Sequence, residues 1–298
     1  MVDLKEIKKV KLTPFTRMSA SIYAILGFVA AIILLIILTI VQAVGLLPSV
    51  IPQVGHFNFV TGLGIPLIIL LPIGAFLVTV TVSFISAMLY NILVPKLGGI
   101  KLELEGIDVV KIPVVSFALI LSAIGAIWAF IVGLIMAAVI TPIFSFLLTS
   151  PLTANITANI TNTTGTAIPS STAIGTAGII LILLLVIGLP ILAFVFGFIW
   201  NALFALFYNY LVTRVTKIKL EFAKITEDLH ELKNIPVLPT ALAVALVFTL
   251  LGIISGILSQ NFAQFITNFI QYFIETAIIA LSYNYLAPRI GTIKLNLE

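Results

Sequence analysis

One acid in this 298-residue chain stands where an acid is costly. Glu275 lies near the middle of a long apolar stretch, 262–286. A carboxylate at the centre of a bilayer-spanning helix costs roughly 2.5–3.5 kcal/mol on insertion scales. At about 100° per residue, Glu275 shares one helix face with Gln264, Asn268, Gln271 and Ser282. No Lys, Arg or His falls inside any long apolar stretch, so none of them offers it a cationic partner. An acid so placed must be neutral, hydrogen-bonded, or in reach of water or a cation. Two readings of the stripe stay open. One is a site for a cation, proton or small solute formed by Glu275, Gln271, Asn268 and Gln264, with Ile278 and Ile279 as an apolar plug behind it. The other is a polar seam that ties the helix to its neighbours, each bond contributing ~0.6–2 kcal/mol.

Other chemistry is scarce. There is no cysteine, and the two histidines, His56 and His230, fall in separate segments, so no metal site is expected. The chain lacks H-E-x-x-H, the G-x-x-x-x-G-K-[ST] phosphate loop and any intramembrane haem ligand. No enzyme activity, no cofactor and no nucleic-acid partner is expected. Asn201, the other strongly polar residue deep in an apolar stretch, is expected to bridge helices. Small residues recur at Gly125 and Gly133 and, as G-x-x-x-G, at Gly252 and Gly256, spacings that let helices approach closely.

The elements that must carry these residues follow from hydropathy. Apolar residues make up 61% of the chain and charged ones 9%, with mean hydropathy +1.28, too few charges to cover a soluble surface. Six segments are long enough to cross a bilayer: 20–44, 65–94, 114–140, 177–212, 237–258 and 262–286. All 15 Lys and Arg lie before the first, between the second and third, between the fourth and fifth, or after the sixth. The positive-inside bias therefore places both termini in the cytoplasm of a multi-pass cell-membrane protein. The loop 141–176 carries no charge, and 14 of its 36 residues are Ser or Thr. It holds acceptor sequons at Asn155, Asn159 and Asn162, which mark it as an external, glycosylated loop.

The chain also repeats itself. Y-N-I-L-V-P-K-L-G-G-I-K-L-E-L-E at 90–105, Y-N-Y-L-V-T-R-V-T-K-I-K-L-E-F at 208–222 and Y-N-Y-L-A-P-R-I-G-T-I-K-L-N-L-E at 283–298 share a Tyr-Asn and an I-K-L ten residues later. The pairs are Tyr90–Asn91, Tyr208–Asn209 and Tyr283–Asn284. V-K-L-T-P, V-K-I-P and K-N-I-P precede the first, third and fifth spans, and Pro72 and Pro190 each lie 18 residues before their Tyr-Asn. The reading is three two-span repeats, 1–106, 107–226 and 227–298. The Tyr-Asn motif is taken as structural: an aromatic at the inner interface and an Asn able to cap the helix, with Gly98 and Gly99 permitting a turn. Alternation in I-K-L-E-L-E predicts a strand.

The fold class expected is an all-α membrane protein whose short strands form a small cytoplasmic sheet or barrel. Closure would bring the first strand, 7–12, beside the last, 293–297. Two-span repeats insert in one orientation, unlike the inverted repeats of many transporters. Such an arrangement suits a ring, a pore or an assembly platform, in a lipid bilayer, with a homo-oligomer or a membrane or cytoplasmic protein as partner. A ring of acids within one chain is excluded, because the positions equivalent to Glu275 are Val82 and Trp200.

The module resembles a bacterial family of small two-span membrane domains of unknown function. Tyr90, Asn91, Gly98, Gly99 and the strand 100–105 carry the likeness; the second copy has no glycine pair and the third has Gly291-Thr292. The resemblance implies a tripled relative and no particular activity. Two functions of different class follow: a structural or assembly component of the cell envelope, or a channel or carrier using Glu275.

Overall fold

Strands form where apolar and polar residues alternate, and helices where apolar runs exceed 20 residues. The computed structural model describes residues 2–44, 62, 64–149, 178–261 and 263–298. The sequons at Asn155, Asn159 and Asn162, and His56, lie outside the described residues. In chain order the elements are β1 (Asp3–Val10), α1 (Leu12–Ala43), α2 (Ile65–Leu97), β2 (Lys101–Glu105), β3 (Asp108–Lys111), α3 (Val114–Thr149), α4 (Leu189–Tyr210), β4 (Glu221–Lys224), β5 (Leu229–Asn234), α5 (Val237–Ser259), α6 (Gln264–Ile290) and β6 (Ile293–Leu297). Helical residues 178–183 and a π-helical turn at Leu184–Gly188 lead into α4. Among the described residues, six helices are thus long and apolar enough to cross a membrane, as expected.

Two boundaries move. Helix α1 starts at Leu12, eight residues before the apolar run, because Pro14 suits a first helical turn and polar residues can extend a helix out of the hydrocarbon. Strand β1 accordingly occupies Asp3–Val10 rather than 7–12. Pro190 explains the π-helical turn before α4: it has no N–H to give to the preceding turn, and a one-residue widening re-pairs the Leu189 N–H with the Leu184 carbonyl.

The strands are all antiparallel, in the order β3-β2-β1-β6-β5-β4. First and last strands pair, with Val10 opposite Leu295 and Ile7 opposite Leu297. The two outer strands then meet through the segment just before β4: Val109 N–H donates to the Ile218 carbonyl (2.9 Å) and Leu220 N–H to that of Ile107 (2.8 Å). This bridge joins the two outer strands and closes the sheet into a barrel, which leaves less strand edge exposed.

The chain divides into two compact units, residues 1–117 with 203–298, and residues 118–202. In the first, α1 packs on α2 and α5 on α6. Gly27 admits α2 so closely that a methyl there would lie 3.0–3.1 Å from Leu71, Pro72 and Ala75. Gly252 does the same for α6, beside Phe265 and Asn268. Phe265 is the position equivalent to Pro72, so both glycines mark one crossing point within their helix pairs. Helix α5 is the most enclosed, with Ala241, Ala243, Ala245, Val247 and Leu251 fully buried. Barrel residues Leu104, Val109 and Ile112 share a core with Tyr208, Val212, Val247 and Leu251. A second core joins Leu232 to Met18, Ile22, Tyr283 and Ala287. In the second unit, Gly133 abuts the Leu185 carbonyl and Gly197 faces Ser122, whereas Gly125 meets nothing within 4 Å.

Candidate functional site

The Tyr-Asn pairs sit at the last turns of α2, α4 and α6, where the helices meet the barrel, and each makes the same set of bonds. Tyr90 donates its hydroxyl proton to the Ile7 carbonyl (2.6 Å) and accepts from Ile100 N–H (2.9 Å). Tyr208 donates to Val109 and accepts from Ile218 N–H. Tyr283 donates to Leu232 and accepts from Ile293 N–H. The accepting bond spans ten residues every time, which is the physical origin of the I-K-L offset. Each Asn clasps one backbone residue of the incoming strand on both its N–H and its carbonyl: Asn91 with Val10, Asn209 with Ile112, Asn284 with Ile235, at 2.8–2.9 Å. The Asn thus pairs like a strand residue instead of capping its helix.

Turns beside these clamps use glycine where backbone approaches backbone. Gly98 (φ 82°) and Gly291 (φ 90°) end α2 and α6 in conformations that side chains disfavour. A methyl on Gly99 would run into the Ile7 carbonyl. The second junction, without glycine, leaves α4 through a 3₁₀ turn at Val212–Arg214 instead. Glu6 locks the first junction: it accepts from Gly99 N–H (2.8 Å) and pairs with Lys8 (3.4 Å) and Lys101 (3.8 Å). Burial works to raise the Glu6 pKa, but the Gly99 bond and the two lysines outweigh it and hold the carboxyl below its ordinary 4.5.

The stripe on α6 is built differently. Asn268 donates to the Phe248 carbonyl of α5 (3.3 Å), and Gln264 receives the Ser259 hydroxyl (3.3 Å). Phe248 itself stacks on Tyr272 at 3.7 Å between ring centroids. These contacts stitch α5 to α6. Gln271 is exposed and Ser282 buried. Glu275 is half-buried and forms no hydrogen bond or ion pair among the described residues. Asn201 donates to Gly197 on its own helix (2.8 Å), not across to another, because a backbone carbonyl one turn back is its nearest acceptor. No group of three His, Asp or Glu that could hold a metal occurs among the described residues.

Sequence reasoning missed a cavity of about 610 Å³ at the end of the barrel farthest from the helices. Lys5, Asp3, Lys224, His230, Phe222 and Leu297 help line it, and the Nδ1 of His230 is buried with no hydrogen-bond partner among the described residues. Strand parity places His230 and Leu232 on one face of β5, but only barrel closure turns that face into a cavity wall. No protein family, curated protein or solved structure matches the chain.

Proposed function

We propose that this chain is a structural or assembly component of the cell envelope, inserted with its barrel and both termini in the cytoplasm, and built from three copies of a two-span module. The recurrence of one Tyr-Asn bond set at three helix–barrel junctions carries the reading. Those residues spend every polar atom on framework and keep none for a ligand. The positive-inside distribution of Lys and Arg supports the orientation, and the likeness to small two-span membrane domains supports the module. A partner is expected on the barrel, the part of the chain richest in charge.

The chain has no native cysteine, so single cysteines at Lys224 and at Thr153 give a clean orientation test in intact cells. A membrane-impermeant maleimide should label Thr153→Cys and spare Lys224→Cys; the reverse pattern overturns the orientation. Crosslinking from barrel positions should recover a protein partner that barrel-strand substitutions abolish, and a clean blank removes the assembly role. A second reading, a channel or carrier for a cation, proton or small solute, is favoured by Glu275, which has no partner among the described residues. Liposome flux that Glu275→Gln changes would support it, and no flux in either protein would remove it.

A further inference from the structure

The barrel sorts the cations of this chain into two sets. Seven lie within 4 Å of an acid: Lys5, Lys8, Lys101, Lys111, Lys217, Lys219 and Lys233. They stand on the barrel strands or, for Lys217 and Lys219, on the segment leading into β4. Lys101 and Lys111 stand near junctions of strand and helix but are paired. Of the remaining eight cations, none has an acid within that distance among the described residues. Seven of these lie near such junctions, Lys9 and Lys294 on β1 and β6 themselves. The seven are Lys9, Lys11, Arg17, Lys96, Arg214, Arg289 and Lys294. Arg289 lies over the Tyr285 ring (3.7 Å), and the others have no ring contact among the described residues. Apolar helices that cross a bilayer put their ends at the depth of the lipid head groups. A belt of cations lacking acids at that depth has one abundant counter-charge available, the phosphate of the lipid.

At one place the belt closes round a groove. A cavity of about 420 Å³ is lined by Lys9, Lys11 and Lys294, with Leu12 and Pro14 as apolar wall. No carboxylate lines it. Glu231 lies across the strand pair from Lys294 but makes no ion pair with it within 4 Å, and its Oε2 accepts from the Thr292 hydroxyl (2.6 Å). Asn91, the remaining polar side chain of the wall besides Thr13, is spent on the Val10 backbone. The groove also touches the start of α1, a 32-residue helix whose first turn has neither a side-chain cap nor an acid. Three cations, a helix start and an apolar wall at head-group depth match a phosphate that carries acyl chains.

We propose that this groove binds the phosphate of an anionic phospholipid, held by Lys9, Lys11 and Lys294. The site needs only that the helices cross a bilayer, so it stands whichever side the barrel faces and whatever the chain does. Native mass spectrometry of the purified full chain, in detergent with phosphatidylglycerol or phosphatidylcholine, tests it. Phosphatidylglycerol should be retained at least about tenfold better. Lys9→Gln, Lys11→Gln and Lys294→Gln together should abolish that preference, and arginine at the same three positions should restore it. Lys9→Gln alone, an exposed position, should weaken retention about two- to threefold and serves if the triple variant does not fold. Lys101→Gln, Lys111→Gln and Lys217→Gln remove the same charge from paired barrel sites and should leave retention unchanged. Equal loss in both triple variants, or no preference in the native chain, overturns the site. Displacement by an equal concentration of inorganic phosphate would assign the groove to free phosphate and overturn the lipid.

Discussion

Tyr208 and Glu275 are both polar side chains on apolar helices, and the structure treats them in opposite ways. Tyr208 is fully buried, donates to Val109 and accepts from Ile218, and belongs to the core that joins α4, α5 and the barrel. Glu275 is half-buried and bonds to nothing among the described residues. One polar group is over-determined and occurs three times; the other is unconstrained and occurs once. A buried hydroxyl with both bonds made stabilises a fold, and losing it strands two backbone partners. An unpartnered carboxyl contributes nothing to that framework, which leaves it open to other use.

Substitutions can break this contrast. The largest effect is expected at the clamp: Tyr208→Ala should lower stability by about 3–5 kcal/mol, since it opens a cavity and orphans the Val109 carbonyl and the Ile218 N–H. Tyr208→Phe keeps the ring and should cost about 1–3 kcal/mol, read in both cases by thermal unfolding in detergent. At the first junction, Gly99→Ala should cost about 1–3 kcal/mol, because the Ile7 backbone and not a flexible side chain stands in the way. The same assay would show a loss under 0.5 kcal/mol, on the order of an ordinary surface change, if the barrel could simply shift aside.

Glu6 gives a smaller, pH-dependent effect of about 1 kcal/mol. Its carboxyl titrates below 4.5 in the folded chain, so it stabilises fully above that value, and the contribution fades as pH falls through the folded pKa. Stability measured from pH 7 to pH 3 should therefore drop more in the native chain than in Glu6→Gln, and parallel curves would deny Glu6 that role. Smallest of all is Glu275→Gln, expected to leave the unfolding temperature within a degree or so, about 0.5 kcal/mol or less. A loss as large as that of Tyr208→Phe would turn the stripe into framework and end the contrast.

Much of the architecture is legible in the amino-acid sequence. Span number follows from apolar length alone. The pairing of first and last strands is what closure of six short strands, two per module, predicts, and β1 does pair with β6. The I-K-L offset was visible as a pattern, yet its cause, a Tyr hydroxyl reaching a backbone N–H, was not, because a ten-residue interval has no helical or strand period. An Asn near a helix end is able to cap it, but the partner of Asn91, Val10, lies 81 residues away in the chain. Of the stripe, Asn268 and Gln264 joined the α5–α6 seam while Gln271 and Glu275 did not, a division that helical angle cannot make, for it ranks neighbours by face and not by what each face meets.

Properties that depend on local length and period were settled by the sequence by itself: six apolar spans, strands at their ends, and charge confined to alternate connections. Tertiary structure alone decided which groups meet. Barrel closure through Ile107–Val109 and Ile218–Leu220 arises from contacts between distant segments, as does the pairing of Lys101 with Glu6, while Glu275 meets no partner among the described residues. Hydrophobicity is a property of each residue, so a chain displays it in order; a hydrogen bond or ion pair belongs to two residues, and only folding chooses the second.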